Sequence, residues 1–387
     1  MKIDYSERIA QLPPYLFVEI DRLKAEAVKK GKDVIDLGIG DPDIPTSDII
    51  VKALQAAAVK PQHHRYPSTA GMLEFRAAAA YWMKKRYGVS VDPATQVISC
   101  IGTKEGIGHI PYAFVDRGDY VLFPDPGYPV YSSSTLFSGG TPHIMPLREK
   151  NEYLPDLSAI PADIARKAKL MFINYPNNPT AATATKDFFR QVVEFALKYN
   201  IIVCHDAAYS EVCFDGYRAP SFLEVDGAME VGIEFHSLSK TFCMTGWRLG
   251  FAVGNADILN GLLKIKSNVD SGVFQAVQEA GTAALQKNTE IIEPIIAVFQ
   301  ERRDIFTHGI RKIGLECTSP KSTFYVWIKN PNGMKSAEFA KKLLEETALV
   351  LTPGTGFGSF GEGYIRAALT INKERLAEAV NRIKTIL

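Results

Sequence analysis

Lys240 and Arg248 lie in EFHSLSKTFCMTGWRLGFAVG, residues 234–254, a segment that opens and closes in apolar, strand-like runs. A buried, unpaired lysine loses its proton or costs several kcal/mol. Two cations in such a segment therefore imply either access to solvent or an anionic, reactive partner. A lysine held deprotonated in a desolvated pocket can form a Schiff base with an aldehyde. An arginine offers a fixed fork of donors that suits a phosphate, and Ser237 and Ser239 can add hydroxyl donors to it.

Four other stretches carry compatible chemistry. Asp206 of HDAAY ends a strongly apolar run and would sit at the carboxyl edge of a sheet, where open α/β proteins bind ligands. A carboxylate there favours a cationic partner; a helix cap or turn is the alternative. IGTKEG, residues 101–106, follows a strand and opens a helix, so its free N–H groups suit an anion. Gly102 lets the backbone approach closely and Thr103 adds a hydroxyl, although an ordinary N-cap would read the same way. In NYPNNPT, residues 174–180, Asn178 could donate to a phenolate or carbonyl oxygen, or form part of a surface turn. Tyr128 in DPGYPVY could stack on a planar heteroaromatic ring or pack in the core. An aldehyde, a phosphate, a stacking ring, a phenolate oxygen and a pyridinium nitrogen coincide in one molecule, pyridoxal 5′-phosphate. The general requirement for that cofactor is a Schiff-base lysine with an Asp beside the pyridine nitrogen. The joint occurrence carries this reading; no single stretch does.

The elements needed to position these residues are legible as alternating strands and helices. QVISCIG precedes KEGIGHIPYAFV, DYVLFPD precedes YPVYSSSTLF, and AKLMFINYP precedes KDFFRQVVEFALKYN, with IIVCHDAAY next. Short apolar runs of this kind read as strands covered on both faces, in a mixed, mostly parallel α/β sheet flanked by helices. An earlier helix is expected from PYLFVEIDRLKAEAVKKGK, followed by a short strand and turn in DVIDLGIGDPDIP. After Gly254 come helices, including a long amphipathic one near residues 290–313. Strands in STFYVWIK and YIRAALT and a closing helix in KERLAEAVNRIKTIL then suggest a smaller α+β domain. The expected division is residues 1–44 as an arm and part of the small domain, 45–285 as the large domain, and 286–387 as the small one.

The chain has 387 residues, 46% of them hydrophobic, which is ample for two or three domains. Its formal net charge of +1 gives no electrostatic case for nucleic acid or an anionic membrane. The first residues show no secretory signal, and no stretch approaches the ~18 apolar residues of a membrane span. Five scattered cysteines without a CxxC read as reduced thiols in a cytosolic protein. No Cys/His cluster indicates a metal site. GFGSFG, residues 356–361, matches GxGxxG, but a dinucleotide fingerprint requires a helix after it. Here a strand follows, so a loop is expected.

Taken together, SLSKTFCMTGWRLG, NYPNNPT, HDAAYSE and GTKEG closely resemble the motifs of fold-type I, class I/II pyridoxal-phosphate aminotransferases, over nearly the whole chain. The resemblance implies Lys240 as the cofactor lysine, with Arg248, Ser237, Ser239, Thr103 and Lys104 at the phosphate. It gives Tyr128 as the stacking ring, Asn178 and Tyr209 to the ring oxygen, and Asp206 to the pyridine nitrogen. It further implies a homodimer with shared active sites, in which Tyr66 of HHRYPSTAG reaches the partner's phosphate. Amino acid and 2-oxo acid would be the substrates, with Arg366 of YIRAALT and the Gly40 backbone on the α-carboxylate. One departure is Ala181, where the family usually continues NPT with glycine. Within the family, LGIGDPDIPT, IKSNVDSGVFQA and TPGTGFGSFGEGY are most similar to the branch acting on LL-diaminopimelate in lysine biosynthesis, with 2-oxoglutarate as acceptor. Tyr15 and Lys104 would then meet the far end of that substrate. Three alternatives share parts of this pattern. A carbon–sulfur β-lyase has the same cofactor residues, as do relatives acting on aspartate, alanine or aromatic amino acids. A cofactor-sensing transcription regulator would need a basic DNA-binding domain, which the sequence does not display.

Overall fold

The apolar runs bounded by Gly, Pro and Asp turns form strands because their branched and aromatic side chains fill a surface covered on both sides. The structure is a computed structural model that describes residues 3–12 and 16–387, the side chains of residues 16–21 and 23 excepted. A helix over Leu16–Lys29 leads to a short strand, β1 (Ile35–Asp36). Seven strands then build the main sheet: β2 (Val97–Cys100), β3 (Tyr120–Asp125), β4 (Thr141–Pro146), β5 (Ala168–Asn174), β6 (Ile202–Asp206), β7 (Gly232–Ser237) and β8 (Gly250–Gly254). Their spatial order is β2-β8-β7-β6-β5-β3-β4. The run from β4 through β3, β5 and β6 to β7 is parallel, and β8 is antiparallel to both its neighbours. This is the mixed, mostly parallel α/β sheet expected from the sequence.

Alternate residues of each strand face opposite helical layers. On β5, Leu170 and Phe172 join a core with Ile107, Ile110 and Leu259, whereas Met171 and Ile173 join one with Phe75, Phe189 and Val192. β4 is an addition to the sequence reading. Its TPHIMP is only partly buried and carries two prolines, which cannot donate to a ladder and are tolerated at the edge position it occupies.

Beyond β8 the long helix Asn288–Lys312 buries Phe299, Phe306 and Ile310. Its Gly309 packs against Val380 of the closing helix Lys373–Lys384 so closely that an added Cβ would lie 2.9 Å from Val380 Cγ1. Strands β9 (Tyr325–Lys329), β10 (Leu349–Val350), β11 (Thr352–Pro353) and β12 (Tyr364–Ala368) complete the set. β11, β12 and β9 form an antiparallel sheet, and β10 pairs in parallel with β1, so residues 35–36 join the C-terminal part of the chain. GFGSFG forms two 3-10 turns, Gly354–Phe357 and Ser359–Gly361, leading into β12; it is the loop expected rather than a dinucleotide motif. Among the described residues no helix is long and apolar enough to cross a membrane.

Candidate active site

β5, β6 and β7 are adjacent and in register, with Asn174 opposite Asp206 and Asp206 opposite Phe235. The three strands end at Asn174, Asp206 and Ser237, so polar residues that are distant in the chain meet on one carboxyl edge. A cavity of about 340 Å³ opens there. Gly40, Thr103, Lys104, Tyr128, Asn178, Asp206, Tyr209, Ser237, Ser239, Lys240, Arg248 and Arg366 all line it, together with Asn174, Tyr325 and Phe357.

Lys240 lies in the single helical turn Leu238–Thr241 that follows β7, and its Nζ donates to the Gly40 carbonyl at 2.7 Å. Burial, reinforced by the nearby Arg366 and Arg248 charges and opposed by Asp41, lowers its pKa to about 8. Gly40 must be small: an added Cβ would lie 1.9 Å from Tyr325 Oη. Asp206 is buried, and burial pushes its carboxyl up; a 2.8 Å hydrogen bond donated by Tyr131 and one from the Ala208 N–H oppose that shift. Tyr131 is itself fixed by stacking on Phe172, with ring centres 5.0 Å apart. Asn174 Nδ2 donates to the Asp206 carbonyl at 2.7 Å, while its Oδ1 accepts the Asn178 N–H at 2.8 Å. The NYPNNPT turn is thereby tied to the Asp206 strand end. Ala181 at the family's glycine position takes φ +61°, the left-handed conformation that a glycine adopts at no steric cost.

A second group of donors surrounds the start of the helix Thr103–Phe114. Gly102 is its N-cap, with φ +68°, and a Cβ there would lie 2.3 Å from Arg248 Nη2. Ser237, Ser239 and Thr103 are buried, whereas Arg248 is exposed at the cavity and donates to the Thr245 carbonyl. Glu105 reaches back to the Ile101 N–H at 3.0 Å and receives the fully buried Lys266 ammonium at 2.7 Å. Glu105, His109 and Asp270 approach closely enough to hold a cation, but the Lys266 ammonium already bonds both carboxylates.

Arg366 is 2% exposed. Its Nη1 donates to Asn178 Oδ1 at 2.8 Å and its Nη2 to the Gly38 carbonyl at 2.5 Å. The guanidinium lies 4.2 Å from the Tyr325 ring centre and 4.6 Å from that of Phe357. Its Nε has no partner, and among the described residues no carboxylate pairs with it. A buried cation with an idle donor is arranged for an incoming anion. Tyr209 Oη lies 3.0 Å from Tyr325 Oη, which brings the HDAAY tyrosine to the β9 strand.

Two expected residues stand apart. Tyr66 is 88% exposed and does not line the cavity; Tyr15 lies outside the described residues. Sequence reasoning passed over Tyr131, Asn174, Tyr325 and Phe357. The second tyrosine of DPGYPVY and the first asparagine of NYPNNPT were within quoted motifs. Tyr325 and Phe357 gave no local signal.

The buried carboxylate, the deprotonation-prone lysine and the helix-start donors suit a ligand with a cationic ring nitrogen, an aldehyde and a phosphate. Residues 32–383 match the model of the family described as aminotransferase class I and II, and the chain belongs to that family; its cofactor is pyridoxal 5′-phosphate. The chain is 56% identical over 381 residues to the LL-diaminopimelate aminotransferase of Syntrophobacter fumaroxidans, covering 98% of each chain. It is also 56% identical over 382 residues to that of Moorella thermoacetica, covering 99% of this chain and 98% of the relative. Among solved structures, substrate-bound BacF from Bacillus subtilis superposes with a TM-score of 0.96 at 38% identity, covering 100% of this chain and 98% of the other.

Proposed function

We propose that this chain transfers the amino group of LL-diaminopimelate to 2-oxoglutarate. The observation that carries the chemistry is the meeting of Lys240, Asp206 and Arg366 in one cavity. The support for the substrate is the name borne by full-length relatives at 56% identity.

When bound, pyridoxal phosphate supplies an aldehyde for the amino group and a ring that accepts electrons from the substrate Cα. Thr103, Ser237, Ser239, Arg248 and the N–H groups at the helix start would hold the phosphate. Tyr128 would stack on the ring, and Asn178 and Tyr209 would bond its oxygen. Asp206 would hold the proton on the pyridine nitrogen, and the Tyr131 hydrogen bond favours its carboxylate form against the effect of burial. Arg366 clamps the substrate α-carboxylate, placing the Cα–H bond near Lys240. Lys240 Nζ, low enough in pKa to be neutral in an appreciable fraction of molecules at pH 7, carries the proton away from that carbon. Lys104 and Tyr15 are assigned to the far carboxylate of the substrate.

The same reading makes the protein a homodimer in which the partner subunit's Tyr66 reaches the phosphate, supported by the 88% exposure of that side chain in one chain. It divides the chain into residues 1–44, 45–285 and 286–387. The test is product identity. Glutamate should form from 2-oxoglutarate in step with LL-diaminopimelate consumed, and Lys240→Ala should form none. Pyruvate and ammonia released from cystathionine without an oxo acid would replace this reading with a β-lyase.

A further inference from the structure

Asp125 ends β3, is 2% exposed and has no cation bonded to it among the described residues. A buried carboxylate persists only where donors satisfy it. Its donors come from the loop before β12. Oδ2 accepts the Ser359 N–H at 3.0 Å and the Ser359 hydroxyl at 3.2 Å, and Oδ1 accepts the Phe360 N–H at 3.0 Å. The Gly127 N–H returns a bond to the Phe357 carbonyl at 2.7 Å. Gly358, between these contacts, has φ +132°, and a Cβ there would lie 2.1 Å from Asp125 Oδ1. The glycine spacing that imitates a dinucleotide motif thus lets the loop close on a carboxylate.

The backbone at and just after Phe357 is therefore fixed to the end of β3 and the turn that follows it. Its ring lines the cavity, lies 4.6 Å from the Arg366 guanidinium and meets Trp327 edge-on at 6.3 Å. We propose that Asp125 is a positioning residue for substrate binding: through the loop it holds, it seats Phe357 against Arg366 and so shapes the carboxylate end of the cavity. Asp125 itself does not line the cavity. The assignment rests on Arg366 being the carboxylate clamp.

Asp125→Asn keeps the volume but turns an amide N–H₂ toward a donor. In the cofactor-loaded enzyme the KM values for amino acid and oxo acid should rise together, by about tenfold. The Kd of pyridoxal phosphate and the absorbance of the bound cofactor should stay at wild-type values. Because Asp125 acts through Phe357, Asp125→Asn/Phe357→Leu should be no weaker in substrate binding than Phe357→Leu alone. Gly358→Ala should reproduce the KM signature, and carries the test if Asp125→Asn does not fold. Unchanged KM values, a cofactor Kd that weakens in parallel, or additive losses in the double variant would each overturn the proposal. Arg366→Lys, measured alongside, separates the two levels. If it leaves KM unchanged, the clamp is misassigned; if it raises KM while Asp125→Asn does not, the Asp125 assignment alone falls.

Discussion

A partly buried lysine and a buried aspartate, of opposite titration behaviour, define the chemistry at the residue scale. Burial lowers Lys240 to about 8 and raises Asp206, so each is displaced toward its neutral form until a ligand compensates it. Below about pH 8 the neutral fraction of Lys240 falls about tenfold per pH unit. Capture of pyridoxal phosphate by the apoprotein should therefore quicken with rising pH and level off above about 8; stopped-flow absorbance measures this. An uninflected rise up to the ordinary lysine range would show that Lys240 is not desolvated. Asp206→Asn retains shape but loses charge. Its chemical step should slow by several powers of ten, on the order of 4 kcal/mol, in single-turnover measurements. Tyr131→Phe removes the hydrogen bond that opposes the burial of the Asp206 carboxylate and should cost about 2 kcal/mol in the same assay, with little change in KM. Lys240 and Asp206 were legible in the sequence because a charge at the end of an apolar run is a local anomaly. Tyr325 and Phe357 were not, because an aromatic residue in an apolar strand or loop looks like core until the partner it covers is known.

At the scale of elements, a buried carboxylate ties β7 to β6 and to the segment at residues 221–222. Glu234 on β7 is fully buried and accepts bonds from His205 of β6, His236, the Ser221 hydroxyl and the Phe222 N–H. Burial would raise its pKa, but the hydrogen bonds from His205 and His236 hold it well below the usual carboxylate range. A depressed folded-state pKa stabilises the fold above the unfolded value near 4.5 and loses that contribution as pH falls below it. Glu234→Gln places an N–H₂ among donors and should cost about 3 kcal/mol of stability, lower Tm, and flatten the acid limb of the stability curve. An unaltered Tm and acid limb would remove Glu234 from this role. The main-sheet strands were readable from their apolar runs, whereas β4 was not, since a partly buried, proline-bearing edge strand lacks the more fully buried pattern that marks its neighbours. The pairing of β1 with β10 was equally hidden: two-residue strands carry no periodicity, and their register is set by contacts remote in sequence.

At the scale of the whole molecule, the site is assembled from segments spread along the chain: Gly40 from the turn after β1, the strand ends of the main sheet, and Arg366 from β12. Arg366→Lys keeps the charge but loses the paired donors, so catalytic efficiency should fall roughly a hundredfold for every amino acid alike. A loss confined to diamino-dicarboxylates would place Arg366 at the distal end instead. A cavity equipped for a second charged end leaves buried polar atoms unpaired when a short substrate binds, which discriminates by powers of ten. The central claim, transfer from LL-diaminopimelate, is tested most directly by comparing kcat/KM for LL-diaminopimelate, meso-diaminopimelate, aspartate, alanine and phenylalanine with 2-oxoglutarate as acceptor. LL-diaminopimelate should exceed aspartate and alanine by at least about a hundredfold; equal or higher efficiency with either of those two would contradict the substrate assignment.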